Sequence, residues 1–323
     1  CLNAHGPATV VRDAIAACAV DEYPDPISLG ARAAVAARYR RPIAEIMLGA
    51  GSAELIQAVC LAYVEPQDTV LVATPCFGEY ARAAGLCGAR VQEAPTVDEL
   101  LAHIANGPKM VFVASPSSPV GQQLPLNTLR LIADACEAVD ALLVLDQAYD
   151  GFTAAPQGTP ALPGHSHVLH LRSLTKDHAL ANVRVAFGVG TPEVIRALEA
   201  VRTPWAVSGA AQAAAMATLT PEAESHARTT TATLREEAVR MRAAIERIGF
   251  SVTPSDTHYF LVHCGDAARA RQWLLEHAAL LVRDATSFGL PTQVRVAARL
   301  AEDNDRLIEA FTRLRSTLSL SAS

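Results

Sequence analysis

Between residues 28 and 220, short apolar runs alternate with amphipathic segments. In residues 52–63, the apolar side chains at positions 55, 56, 59, 60 and 63 follow the three- and four-residue spacing of one helical face. Residues 129–139 show the same spacing. The apolar runs predict strands at residues 46–48, 69–74, 110–114, 141–145, 168–172 and 183–189. Strands that alternate with helices predict an α/β fold with a mostly parallel central sheet and crossover helices.

The pattern changes after residue 220. Residues 222–248 form a charged stretch rich in Arg and Glu, which predicts a long helical connector. Beyond it we predict a compact α+β unit, with strands at 259–263 and around Leu281 and Val294, and helices at 267–277 and 302–314. The 323 residues are about twice the roughly 150 of a single domain. We therefore predict a large domain, residues 28–225, and a small domain formed by residues 1–27 and 226–323.

Composition narrows the class of protein. Half of the residues are hydrophobic and the mean hydropathy is +0.20, which argues for a buried core and against disorder. A net charge of -6 and a pI near 5.9 offer no basic surface for nucleic acid. The apolar runs are far shorter than the roughly 20 residues of a membrane span. We predict a soluble protein that binds neither nucleic acid nor membranes.

The cysteines point to a reducing compartment. Their odd number and the lack of a C-x-x-C pair fit neither a disulfide framework nor a zinc ribbon. We therefore predict a cytoplasmic protein. The chain begins at Cys1 rather than Met, so we expect a few residues to precede it, and a removed targeting segment stays an open alternative. The seven cysteines are Cys1, Cys18, Cys60, Cys76, Cys87, Cys136 and Cys264.

Lysine is rare in this chain. Of its 27 lysines and arginines, only Lys109 and Lys176 are lysines, so chemistry that needs a primary amine has two candidates. Lys176 follows a predicted strand and stands beside Ser173 and Thr175, which makes it a candidate for a Schiff base. The alternative for Lys176 is an ordinary surface lysine, which is what we expect Lys109 to be.

Asp146 closes the apolar run at residues 141–145, which places a carboxylate at the carboxyl end of a predicted buried strand. Ligands of α/β sheets bind at such strand ends. A buried carboxylate there could keep a heteroaromatic nitrogen protonated, as pyridoxal phosphate (PLP) enzymes require. Tyr149 adds a hydroxyl near the same place. The alternative is that Asp146 caps a turn.

Residues 49–54, GAGSAE, join a predicted strand to a helix and could form an anion site at the helix N-terminus. The alternative is simple helix capping by Ser52. The segment lacks the third glycine of a dinucleotide motif and the Gly-Lys-Ser/Thr of a P-loop. Alternation along the strand would turn His170 away from His165 and His167, so we predict no metal site. No Gly-x-Ser-x-Gly elbow is present for a serine hydrolase.

Eight segments, taken in order, resemble the class I and II aminotransferases of PLP fold type I, over nearly the whole chain. The resemblance is closest to the histidinol-phosphate aminotransferases and the threonine-phosphate decarboxylases. It implies a large domain with a mostly parallel sheet plus a smaller α+β domain. The segments are YPDP (23–26), residues 49–56, PCFGEY (75–80), SPSSPVG (115–121), DQAY (146–149), SLTK (173–176), RVAFG (184–188) and QVRV (293–296).

The resemblance implies a role for each cofactor-binding residue. Lys176 would form the Schiff base with PLP and act as the general base. Asp146 would pair with the pyridinium nitrogen, Tyr149 would bond the phenolic oxygen, and Phe77 would stack on the ring. The residues that would hold the phosphate are Ser52, Ala53, Ser173 and Arg184, with Tyr23 reaching it from the neighbouring subunit. The resemblance therefore implies a homodimer with shared active sites.

The resemblance also implies an anionic amino substrate and a 2-oxo acid. Arg295 matches the family's carboxylate-binding arginine, and Arg283 is the expected second anchor. One departure concerns Ser118, which stands where the family has an asparagine that touches the phenolic oxygen. Ser115, Ser117 and Gln147 also replace residues usual in the family.

Two reactions stay open from the sequence. We predict transamination of an amino acid or amino phosphate, with decarboxylation of L-threonine O-3-phosphate as the alternative. A PLP-binding protein without catalysis is disfavoured, because Lys176, Asp146, Tyr149 and Arg184 are all retained. A nicotinamide dehydrogenase is disfavoured because the third glycine is missing.

Overall fold

The computed structural model describes residues 2–320 of the protein, and the side chains of residues 2–317. Its larger sheet has seven strands in the order β1-β7-β6-β5-β4-β2-β3, and β7 runs antiparallel to both of its neighbours. The strands are β1 (Ile46–Gly49), β2 (Thr69–Ala73), β3 (Arg90–Ala94), β4 (Met110–Ala114), β5 (Leu142–Asp146), β6 (Val168–Ser173) and β7 (Ala186–Val189).

Helices cover both faces of this sheet. On strand β2, Val70 and Val72 pack with α3 and α4, whereas Leu71 between them packs with α5 and α6 on the opposite face. Strands buried on both faces are continuously apolar, which is why their runs stand out in the sequence. The helices are α1 (Thr9–Ala16), α2 (Leu29–Tyr39), α3 (Ser52–Tyr63), α4 (Glu79–Leu86), α5 (Val97–Ile104), α6 (Leu126–Ala138), α7 (Leu174–Asp177), α8 (Pro192–Val201) and α9 (Gly209–Thr218).

The remainder forms a smaller α+β unit around a four-stranded antiparallel sheet in the order β10-β11-β9-β8. The predicted charged connector is a single 27-residue helix, α10. Apolar side chains of α10, α11 and α12 pack on the sheet in one cluster. The elements are α10 (Pro221–Arg247), β8 (Ser251–Val252), β9 (Tyr259–His263), α11 (Ala267–Ala278), β10 (Arg283–Asp284), β11 (Gln293–Ala297) and α12 (Ala301–Leu320). The predicted fold class is confirmed.

Two strand predictions were wrong in detail, and two strands, β3 and β8, were not predicted. The strand expected around Leu281 lies at Arg283–Asp284 instead. The strand expected at 183–189 begins only at Ala186, because Arg184 adopts a left-handed conformation with a φ of +60° that no strand residue has. Edge strand β3 was missed because three of its five residues are exposed and polar.

The predicted division into domains stays a prediction. The boundary at residues 225 and 226 falls inside α10. Helix α1, which lies within residues 1–27, packs in the same cluster as α2 and α9 beside the larger sheet. Residues 1 and 321–323 lie outside the described residues. Among the described helices, none is both long and apolar enough to cross a lipid bilayer.

Candidate active site

A cavity of about 570 Å³ lies where β4, β5 and β6 end, between the larger sheet and strands β10 and β11. Parallel strands present their carboxyl ends at one edge, where α/β proteins bind ligands. The structure brings eleven of the twelve predicted site residues to this cavity. They are Ser52, Ala53, Phe77, Ser118, Asp146, Tyr149, Ser173, Lys176, Arg184, Arg283 and Arg295.

Lys176 lies in α7, the single helical turn after β6. Its Nζ atom is 5.7 Å from the centre of the Tyr149 ring. Burial lowers the pKa of Lys176, the Asp146 carboxylate opposes this shift, and the positive charges of Arg184 and Arg295 add to it. A lowered pKa increases the fraction of neutral amine, which is the form that attacks a carbonyl group.

Asp146 ends β5 and is buried. Its Oδ2 atom accepts a hydrogen bond of 2.7 Å from the Tyr80 hydroxyl, and its Oδ1 atom accepts one of 2.9 Å from the backbone N–H of Ala148. The bond to Ala148 shows that Asp146 caps the turn after β5, and Asp146 also lines the cavity. Burial raises the pKa of Asp146, whereas both hydrogen bonds and the charges of Lys176 and Arg172 lower it. The hydrogen bonds and positive charges therefore favour the ionised form of Asp146, whereas its burial disfavours it.

Arg184 lies against the start of α3. Gly51 precedes the helix with a φ of +87°, and a side chain at this position would collide with the Arg184 guanidinium. Gly51, rather than Ser52, occupies the N-cap position, so the capping alternative for Ser52 is not what the structure shows. A guanidinium beside the backbone N–H groups of a helix start forms a site for an anion.

Three hydroxyl groups complete this anion site. The Ser52 Oγ atom is buried and has no hydrogen-bond partner among the described residues. Ser173 and Thr175 line the same cavity, and their hydroxyl oxygens are 2.7 Å apart. A bound anion could accept a hydrogen bond from the Ser52 hydroxyl and so satisfy this buried group.

Arg283 and Arg295 face each other across β10 and β11. Their guanidinium carbons are 5.3 Å and 5.7 Å from the centre of the Phe288 ring. Arg283 donates to the Ser287 hydroxyl at 2.8 Å, and Arg295 donates through Nη1 to the Ser118 hydroxyl at 2.9 Å. Within the described part of the chain, the buried Nε of Arg295 has no partner. Like charges directly opposite each other are destabilising, so this pair suits a negatively charged ligand.

Aromatic residues form the walls of the cavity. The half-exposed Phe77 ring lies edge-on to Tyr80, with 5.9 Å between ring centres. The Tyr149 ring lies edge-on to Tyr259 at 4.7 Å. Burial raises the pKa of Tyr149, so its hydroxyl stays protonated and can donate a hydrogen bond.

Comparison with known proteins gives the family. The family model described as aminotransferase class I and II matches residues 3–311. The chain belongs to the class I and II aminotransferases. A histidinol-phosphate aminotransferase of Geobacillus thermodenitrificans is 32 % identical over 97 % of this chain and 88 % of that protein. An aromatic amino acid aminotransferase of Thermobifida fusca is 33 % identical over 94 % of this chain and 86 % of that protein.

Solved structures share the fold of this aminotransferase. The histidinol-phosphate aminotransferase of Sinorhizobium meliloti, in complex with pyridoxal-5'-phosphate, has a TM-score of 0.89 at 24 % identity and covers 98 % of this chain and 89 % of that one. The L-threonine-O-3-phosphate decarboxylase of Porphyromonas gingivalis has a TM-score of 0.84 at 24 % identity, over 97 % of this chain and 99 % of that one. The predicted family and fold type I are confirmed. The protein is a PLP-dependent transaminase that acts on amino and oxo-acid substrates.

The cavity of the aminotransferase fits PLP. The unpartnered Ser52 hydroxyl and the Arg184 guanidinium lie where a phosphate could bond both. Asp146 offers a carboxylate suited to a ring nitrogen, and Lys176 offers an amine of lowered pKa. The donor set matches a ligand that carries a phosphate, a basic ring nitrogen and a carbonyl group.

Tyr80 is the main residue of the aminotransferase's cavity to which sequence analysis assigned no role. Its ring is stacked on Phe112, with 4.9 Å between centres and 8° between planes, so its hydroxyl is held in place toward Asp146. The sequence signal for Tyr80 is its position in the PCFGEY segment, three residues after Phe77. Periodicity could not show that it reaches a residue 66 positions away.

Tyr23 is the predicted site residue that does not line this cavity within the described residues. It is 85 % exposed, and its ring lies 5.2 Å from that of Trp205. Trp205 is itself half exposed. A contact of Tyr23 with the cofactor would therefore have to be made in a neighbouring subunit, and this role stays a prediction.

Proposed function

We propose that this aminotransferase moves the amino group of a phosphorylated amino substrate, of the histidinol-phosphate type, to a 2-oxo acid. The observation that carries the proposal is the pair Arg283 and Arg295, which presents two guanidinium groups to the cavity that holds Lys176. Planar guanidinium groups suit phosphate and carboxylate, which both accept two parallel hydrogen bonds. Two histidinol-phosphate aminotransferases that are each 32 % identical to this chain support the same substrate class.

We also propose the roles of the cavity residues. Bound PLP supplies an electron-withdrawing ring that stabilises negative charge at the substrate's Cα. The Lys176 amine would bind the cofactor's carbonyl group and would move the proton at the substrate's Cα. Asp146 keeps a proton on the ring nitrogen, Tyr149 donates to the phenolic oxygen, and Phe77 packs on the ring. Ser52, Ala53, Ser173 and Arg184 bind the phosphate, and Ser118 orients Arg295 through the 2.9 Å hydrogen bond.

We further propose a cytoplasmic homodimer in which Tyr23 completes the partner's site. Exposed apolar side chains surround Tyr23 in the sequence, including Val20 at 95 % and Ile27 at 56 % exposure. Apolar residues that are this exposed are typical of an interface between subunits. The six cysteines in the described part of the chain are free thiols, which supports a reducing compartment.

The assay that tests the substrate class compares two reactions of the PLP-loaded protein. One mixture contains histidinol phosphate and 2-oxoglutarate, and the other contains L-threonine O-3-phosphate. We expect glutamate to form in the first mixture. Release of carbon dioxide in the second, without glutamate in the first, would instead favour the decarboxylase alternative.

A further inference from the structure

We propose that Asn3 is a positioning residue for Lys176, because it holds the helical turn that carries the lysine amine into the cavity. The inference rests on the proposed role of Lys176 as the residue that binds PLP. Asn3 belongs to a segment, residues 2–6, that precedes every element of the large sheet.

Asn3 holds the end of α7 with two hydrogen bonds. Its backbone N–H donates to the Lys176 carbonyl at 3.0 Å, and its Nδ2 donates to the Asp177 carbonyl at 2.9 Å. With four residues, α7 is too short to be stable by itself, and the last carbonyls of a helix have no partner inside it. The two donors from Asn3 therefore fix the turn from outside.

The side-chain amide of Asn3 also connects α7 to the long helix α10. Nδ2 donates to the Thr230 hydroxyl at 2.6 Å, and Oδ1 accepts from the backbone N–H of His5 at 3.1 Å. Asn3 is 3 % exposed, so water cannot readily replace these partners. An amide is needed because the nitrogen donates twice while the oxygen accepts. A carboxylate at position 3 would set an oxygen against the Asp177 carbonyl.

The Asp177 side chain gives α7 a second connection to the large sheet. Its Oδ2 atom accepts from Nη2 of Arg172 at 2.6 Å, and Nη1 of Arg172 donates to the Gln147 carbonyl at 3.0 Å. Gln147 directly follows Asp146. The turn is thus connected to the Asp146 end of β5 through Arg172 and to α10 through Asn3.

The neighbours of Asn3 follow the edge of the site. Ala4 packs in the cluster that contains Tyr149. Leu2 lines a second cavity, of about 360 Å³, that shares both of the facing arginines with the first. Residues 2–4 therefore run beside the site, and Asn3 is the one of them that bonds the turn carrying Lys176.

The test uses three variants of the full chain. Asn3→Asp keeps the shape of the side chain but replaces the Nδ2 donor with an oxygen. Asn3→Ala removes both the Nδ2 donor and the Oδ1 acceptor. Asn127→Asp is a matched control at an exposed position on α6. PLP is added to each PLP-free protein, and the rate at which the visible band of lysine-bound PLP appears is measured as a function of pH. Circular dichroism verifies the fold.

We expect both Asn3 variants to form the band about tenfold more slowly, which is the effect of losing a buried hydrogen bond. We also expect the midpoint of the rate profile to move to higher pH, because burial lowers the pKa of Lys176 and a loosened turn admits water. Asn127→Asp should behave like wild type. If Asn3→Asp fails to fold, Asn3→Ala and Thr230→Val test the positioning role instead. Thr230→Val removes the partner of Asn3 on α10 and should give a smaller shift in the same direction.

Two outcomes would overturn the proposal, and they are distinguishable. Asn3 variants that match wild type in rate and midpoint would exclude the positioning role and leave Lys176 in its proposed role. A wild-type protein that forms no band, and whose Lys176 carries no PLP after borohydride reduction, would refute the role of Lys176 itself.

Discussion

The Tyr80 hydroxyl donates a 2.7 Å hydrogen bond to Oδ2 of Asp146, and both residues are buried. Burial raises the pKa of Asp146, and this hydrogen bond is the largest of the interactions that oppose the rise. Tyr80 therefore keeps the carboxylate ionised at pH values where it would otherwise be partly protonated.

Tyr80→Phe should move the acid limb of the kcat profile to higher pH. The ring stays stacked on Phe112, but Asp146 loses a donor and its pKa rises further, so the active carboxylate is lost earlier as the pH falls. The expected displacement is about one to two pH units, since a hydrogen bond to a charged group contributes about 1.5–3 kcal/mol and one pKa unit is about 1.4 kcal/mol.

The control for this change is Tyr63→Phe on α3, whose hydroxyl is outside the cavity. It should leave the pH profile unchanged. If Tyr80→Phe also gave the wild-type profile, Tyr80 would have no influence on the charge of Asp146.

Arg184→Ala should weaken PLP binding about 10- to 100-fold, because a charge-assisted contact to the phosphate is lost. Binding of pyridoxal, which has no phosphate, should stay nearly constant. Arg228→Ala on α10 serves as the control, since this arginine is 70 % exposed in its side chain. Dissociation constants from absorbance titrations give the comparison. An equal loss of affinity for PLP and pyridoxal would show that Arg184 does not bind the phosphate.

Arg295→Ala should raise the KM for a phosphorylated amino substrate about 10- to 100-fold and change kcat much less, because the lost contact is to an anionic group of the substrate that takes no part in the bond changes at Cα. Arg299→Ala, four residues further along the chain and exposed, is the matched control. Steady-state kinetics measure both variants. A KM that stays at the wild-type value would remove Arg295 from the substrate site.

Ser118→Ala should raise the same KM about 2- to 10-fold, since the guanidinium loses one hydrogen bond. Ser118→Asn restores the residue usual in the family, and its amide oxygen can again accept from Arg295. We therefore expect Ser118→Asn to keep a KM closer to wild type than Ser118→Ala does. The opposite order would mean that the serine hydroxyl does not orient Arg295.

A mixture of two impaired variants tests the shared active site. If Tyr23 acts in the partner's cavity, Tyr23→Ala and Lys176→Ala damage different members of one site, so a mixed dimer keeps one intact site. Activity should rise above that of either variant alone when the two proteins are mixed and allowed to exchange subunits. Sedimentation or light scattering establishes the dimer, and a mixture without activity would contradict the contribution of Tyr23.

The sequence predicted the buried elements better than the exposed ones. Strands β2, β4 and β5 are apolar on both faces, so their runs are unmistakable, whereas edge strand β3 carries polar residues and was missed. The site residues were predicted through local motifs that end strands or start helices. Contacts between distant segments left no local signal, which is why neither the bond from Tyr80 to Asp146 nor that from Asn3 to Lys176 was anticipated.

We propose that Lys176 and its cavity catalyse transamination. The direct test is a single turnover in which the PLP-loaded protein is mixed with amino donors, L-glutamate first and then phosphorylated amines, while its absorption spectrum is measured. We predict that the visible band of lysine-bound PLP is replaced by the spectrum of pyridoxamine phosphate and that an equivalent of oxo product is released. Release of carbon dioxide with the band unchanged would contradict the account.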